Sequence, residues 1–81
     1  MTSIEERVRK VVSRLLGVNE SQITDNSDFV RDLGAESIQS IELVAAFEEE
    51  FDIEMDEEAA LQVNTVGKAV EFIKKDIAEQ H

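Results

Sequence analysis

The sequence predicts an all-α protein, a small four-helix bundle of three longer helices and one short third helix, with a long first loop. Three observations carry this. Three segments, about residues 3–16, 37–51 and 66–77, place apolar side chains at the helical period. Residues 18–36 keep no sustained period and are rich in turn formers. The chain has 81 residues and no internal repeat or low-complexity linker, so it reads as one domain, 1–81, with a thin core. Helices of this number and length pack as a bundle.

In the first helix Ile4, Val8, Val11, Val12, Leu15 and Leu16 form one apolar stripe. Ser3 and Glu6 fit a capping box, and Gly17 is placed to end the helix. Arg7, Arg9, Lys10 and Arg14 lie mostly off the stripe and read as a solvated face balanced by Glu5 and Glu6.

In the loop, Val18, Ile23, Phe29, Val30 and Leu33 are scattered apolar anchors among Asn, Ser, Thr and Asp. A loop this long is expected to run over the helices, pinned by Ile23, Phe29 and Leu33. Asp25 and Glu36 stand at the ends of a twelve-residue window, the length of an EF-hand loop. Phe29 and Val30 occupy its fifth and sixth positions, where an oxygen ligand and glycine are required. That mismatch rejects an EF-hand; a looser cation-binding module would show as saturable calcium-induced shifts in this loop.

Asp32-Leu33-Gly34-Ala35-Glu36-Ser37-Ile38 is a short turn that delivers one serine to the start of the second helix. Gly34 permits the turn without a Cβ penalty. Glu36 and Ser37 suit both capping and the positive end of the helix dipole, where backbone N–H groups favour a phosphate. At about 100° per residue, Leu43, Val44, Phe47 and Phe51 fall on one face and should meet the core. Ile38, Glu42, Ala45 and Glu49 fall on the other, flanked by Ile41 and Glu48. That outer face mixes apolar and acidic groups beside Ser37 and reads as a docking face. Ile53 and Met55 anchor the next segment. A short helix, expected to be mobile, follows from about Glu57 to Leu61 with Asp56 as N-cap. Thr65 caps the last helix, where Val66, Ala69, Val70, Ile73 and Ile77 keep the period. The tail from Ala78 to His81 is expected to fray.

Charge narrows the partners. The formal net charge is −11. Asp32 to Gly67 holds 11 acids and no Lys or Arg, while the remaining 8 acids and 8 bases cancel. The whole excess therefore starts at the serine turn. It argues against nucleic acid and anionic membrane and in favour of basic protein surfaces. No run approaches membrane-spanning length. The absence of Cys excludes a disulfide framework, a thiolate metal site and a cysteine nucleophile, and suits a cytoplasmic setting. The sole histidine, His81, lies at the chain end, so no triad or zinc site can form around it, and no Gly-rich phosphate loop is present. The chain reads as a non-enzyme, with no catalytic and no metal-ligating residues.

The seven-residue turn resembles the phosphopantetheine attachment motif of acyl carrier proteins, Asp-Leu/Phe-Gly-x-Asp-Ser-Leu/Ile/Met. Glu42-Leu43-Val44 and Glu48-Glu49-Glu50-Phe51-Asp52-Ile53 are also similar to that family, and the likeness runs from the first helix to Ile77. It implies a discrete carrier with a covalent 4′-phosphopantetheine on Ser37, attached by a phosphopantetheinyl transferase using coenzyme A and Mg²⁺. Acyl intermediates would ride as thioesters in fatty acid, polyketide or specialised lipid synthesis. The resemblance implies a monomer, with Glu36, Ile38, Ile41, Glu42, Ala45, Glu48 and Glu49 docking acyl-transferring and synthase enzymes through their basic patches. It also implies that the short third helix lines the entrance to an acyl cavity. Glu36 departs from the family's Asp and bears on which transferase accepts the chain. With Ala45 and the missing Pro before Asp56, it points to a specialised carrier. The competing reading is an acidic helical adaptor with a carrier-like fold and no prosthetic group; it predicts that Ser37→Ala is harmless.

Overall fold

The computed structural model describes residues 2–80. Four α-helices follow one another: α1 (Ile4–Leu16), α2 (Ser37–Phe51), α3 (Glu57–Leu61) and α4 (Val66–Gln80), with one 3₁₀ turn at Glu20–Gln22. The expected all-α bundle is the observed fold, and α1, α2 and α3 lie within a residue of their predicted bounds.

The ends of α1 form as their residues dictate. The Ser3 hydroxyl accepts the Glu6 N–H at 3.1 Å. Gly17, at φ 69°, donates its N–H to the Ser13 carbonyl. The apolar faces of α1, α2 and α4 then converge. Val8, Val12, Val66 and Ile73 are sealed from solvent, with Leu43, Phe47 and Phe51 packed among them. Ile23, Phe29 and Leu33 enter the same core from the loop, so the pinning expected of them is observed. Val30 is a correction. It is 61% exposed, because the turn that buries Phe29 directs its neighbour outward.

The loop is held by backbone hydrogen bonds as well as by its apolar side chains. Phe29 N–H donates to the Asn64 carbonyl, and Val66 N–H donates to the Ser27 carbonyl, each at 3.0 Å. Gly67 N–H donates to the Asp25 carbonyl at 2.9 Å. Two donors that the first turn of α4 would otherwise leave unpaired thus find partners in the loop. A Cβ on residue 67 would stand 3.0 Å from the Asp25 oxygen, tighter than an ordinary contact, so glycine lets the loop approach this closely without displacement. Ser27 is buried, and its hydroxyl is satisfied by the Thr24 N–H at 2.9 Å.

Two further expectations need correcting. The chain does not fray after Ile77: α4 continues to Gln80. The Gln80 side-chain amide accepts the Glu54 N–H at 2.8 Å and donates to the Glu54 carbonyl at 2.7 Å, so a tertiary contact holds the last turn. His81 lies outside the described residues. Nor is Arg7 part of a solvated face. It is half-buried, donating to the Glu50 carboxylate at 2.9 Å and to the Glu50 carbonyl at 2.6 Å. Its guanidinium also lies 4.4 Å from the Phe51 ring centroid. Arg7 therefore caps the C-terminal end of α2, where carbonyls lack partners and positive charge is favoured.

Arg7→Ala is expected to lower stability by about 1–2 kcal/mol in urea unfolding, since it removes the stacking on Phe51 and leaves the Glu50 carbonyl unpaired. Arg7→Lys should recover only part of the loss, because an ammonium cannot reproduce the guanidinium fork.

Candidate functional site

The turn before α2 is built around two aspartates. Asp28 Oδ1 accepts the N–H groups of Val30 and Arg31, each at 2.9 Å. Asp32 Oδ2 reaches back to the Asp28 N–H at 2.7 Å. The Arg31 N–H foremost, then the Val30 N–H and the Arg31 charge, holds the Asp28 carboxyl below its ordinary value, against a partial desolvation that opposes them. Gly34 turns the chain at φ 72°, a conformation open to glycine at little cost. Ala35 then buries its methyl, its N–H donating to the Phe29 carbonyl at 2.8 Å.

Glu36 is the N-cap of α2 in extended conformation. Its N–H donates to Gln39 Oε1 at 2.9 Å, and its carbonyl accepts the Ser40 N–H at 3.0 Å. Ser37 is the first residue of the helix and is exposed. Among the described residues, none hydrogen-bonds its hydroxyl. Its backbone lies in the first turn, where N–H groups point outward along the axis.

One helical turn on, Ser40 lines an apolar cavity of about 130 Å³. Phe29, Leu43, Phe47, Met55 and Val63 form its body, and α3 contributes Ala60 and Leu61. Val30 and Leu61 line it while remaining exposed, so they edge its opening. Residues i and i+3 share a helix face, which sets Ser37 and Ser40 on the side of α2 that adjoins the cavity. An exposed, unpartnered hydroxyl at a helix N-terminus fits a phosphodiester linkage, and the neighbouring cavity fits an apolar chain.

The seven residues expected to dock partners do not share one environment. Glu36, Ile38, Ile41, Glu42, Ala45 and Glu49 are exposed, Ile38 at 63% and Ile41 at 45%. Glu48 is half-buried, and its carboxylate accepts the Met55 N–H at 2.9 Å. Ser37 stands at the head of α2 and most of the outward face is exposed, as the helical spacing predicts. Sequence reasoning missed Val30 at the cavity's edge and the inward turn of Glu48, neither of which leaves a periodic signal. Among the described residues, no cluster of three or more His, Cys, Asp or Glu side chains could hold a metal ion, and no helix is long and apolar enough to cross a membrane.

Comparison with known proteins agrees with this geometry. The family described as "Phosphopantetheine attachment site" matches residues 6–73. A solved structure from Mycobacterium tuberculosis, assigned as an acyl carrier protein, superposes with a TM-score of 0.78 at 29% identity, covering 98% of this chain and 100% of that one.

Because the folded state lowers the Asp28 pKa, its contribution to stability is complete above the ordinary value of 3.8 and is lost as pH falls through the lower folded value. Urea midpoints of the wild type and Asp28→Ala should therefore differ at pH 6 and converge toward pH 2.5. A gap that stays constant would remove the Asp28 carboxylate from the account of this turn.

Proposed function

The chain belongs to the phosphopantetheine-attachment family of acyl carrier proteins, and from that premise we propose that it is a discrete acyl carrier whose attachment residue is Ser37. The observation that carries this is the placement of Ser37: exposed, with a free hydroxyl, at the N-terminus of α2 and one turn from a cavity-lining residue. The prosthetic group supplies the chemistry this cysteine-free chain lacks, a terminal thiol that holds acyl groups as thioesters. The protein's own residues do the rest. The first turn of α2 sets backbone N–H groups and the positive dipole end beside the phosphodiester. The Asp32 carboxylate is engaged by the Asp28 N–H, and the backbone of Glu36 is fixed by Gln39 and Ser40. Attachment therefore meets a preformed turn.

The cavity between α2 and α3 gives an apolar tail a place out of water. The acyl cargo belongs in this reading to fatty acid, polyketide or specialised lipid synthesis. The partners are a phosphopantetheinyl transferase and acyl-transferring or synthase enzymes with basic patches. Ile38 and Ile41 offer apolar contact, while Glu42 and Glu49 steer encounter over a window that holds no bases.

Two experiments test the reading. Incubation with coenzyme A, Mg²⁺ and a broad-specificity transferase should add the mass of one phosphopantetheine to the wild type and none to Ser37→Ala. If neither gains mass, Glu36→Asp decides: gain there assigns the failure to transferase recognition of Glu36, and no gain favours the acidic adaptor. For docking, Glu42→Lys or Glu49→Lys should slow association with a basic partner enzyme roughly tenfold at low salt, with the difference shrinking as salt rises. Unchanged kinetics and salt dependence would move the docking face elsewhere.

A further inference from the structure

The segment that leaves α2 has no regular structure between Asp52 and Asp56, yet it must place Met55 in the cavity wall and Asp56 at the start of α3. Asp52 turns it through a left-handed conformation at φ 53°. Two side chains then hold it. Gln80 of α4 clamps both peptide groups of Glu54. Glu48 of α2 takes the Met55 N–H. Of these, only the Glu48 bond ends on a residue that lines the cavity. Glu48 also receives the Asp52 N–H and the Ile53 N–H on its backbone carbonyl. One residue thus accepts three donors of the departing segment and folds it back along its own helix.

We propose that Glu48 is a positioning residue for the cavity, and not a docking contact: its carboxylate fixes Met55 and with it the wall that an apolar tail meets. The half-buried site explains why an acid suffices here. A charged acceptor makes a stronger hydrogen bond to a backbone N–H than a neutral one, and a half-buried Met55 N–H without a partner would be costly. Neighbouring Glu49, rotated about 100° around the helix, faces solvent and is free of this duty. The cavity's biological use rests on the carrier reading, but the geometry does not, so the test uses the unmodified protein and can fail independently of it.

Two variants separate the roles. Glu48→Gln removes the charge but keeps a side-chain carbonyl able to accept the Met55 N–H; Glu48→Ala removes the acceptor. Amide exchange at Met55 should quicken roughly tenfold in Glu48→Ala and stay within a few-fold of wild type in Glu48→Gln, the scale of one net hydrogen bond. Core amides of Val8 and Ile73 serve as the global reference and should not follow. Benzene, a probe matched to an apolar cavity of this size, should shift the methyl signals of Val44 and Val63 in the wild type and in Glu48→Gln, and bind about fivefold or more weakly to Glu48→Ala. The proposal is overturned if Met55 exchange or benzene affinity is unchanged in Glu48→Ala, if Glu48→Gln behaves like Glu48→Ala, or if the wild type takes up no benzene.

Discussion

The fold depends on backbone hydrogen bonds between the long loop and the start of α4. Twenty residues separate α1 from α2 with only one short 3₁₀ turn among them. Such a segment exposes peptide groups that water or protein must satisfy, and those lying over a core lose water. The antiparallel contact of Asp28 with Thr65, flanked by bonds to Asn64, Val66 and Gly67, answers that need for both partners at once. The loop gains acceptors and donors, and α4 gains an N-terminal cap. With this register set, Phe29 is committed to the core, and the turn from Asp28 to Ala35 can only end with Ser37 at the head of α2.

That dependence explains how Ser37 can sit exposed at the end of this turn and still be well placed. Its position is fixed not by contacts of its own side chain but by what lies immediately before it: the reciprocal Asp28–Asp32 turn, Gly34 in its left-handed conformation and the buried methyl of Ala35. The hydroxyl stays available because no neighbour needs it. Rigid support with a free hydroxyl suits the attachment proposed for Ser37.

The sequence was legible where a rule is local. Helical periodicity located α1, α2 and α4, and capping chemistry located Ser3, Asp56 and Thr65, whose side chains accept N–H groups three residues on. The serine turn was legible because glycine and the hydroxyl have separate chemical reasons to be there. What stayed hidden is tertiary. Gln80 clasps the backbone of Glu54 across 26 residues, and Arg7 reaches Glu50 across 43. No spacing within either helix encodes such a partner. Nor does the sequence tell that the Asp25 carbonyl packs against Gly67, 3.0 Å from where a Cβ would stand.

The run Glu48-Glu49-Glu50 shows the same limit in three residues. As composition it is one patch of negative charge, and the charge reading treats it as a single solvated or docking surface. Helix geometry divides it, since each step turns about 100°. Glu50 faces α1 and pairs with Arg7, which stacks on Phe51. Glu48 turns the other way and holds the segment that leads to α3. Only Glu49 is left to solvent. Like charges on adjacent residues would repel if they shared a surface; sent in three directions, two become acceptors for specific donors and one remains part of the long-range field. The acidity of α2 is therefore partly structural. Glu42 and Glu49 stay on the outer face, while the Glu48 carboxylate holds the segment that shapes the cavity and the Glu50 carboxylate ties the end of α2 to α1.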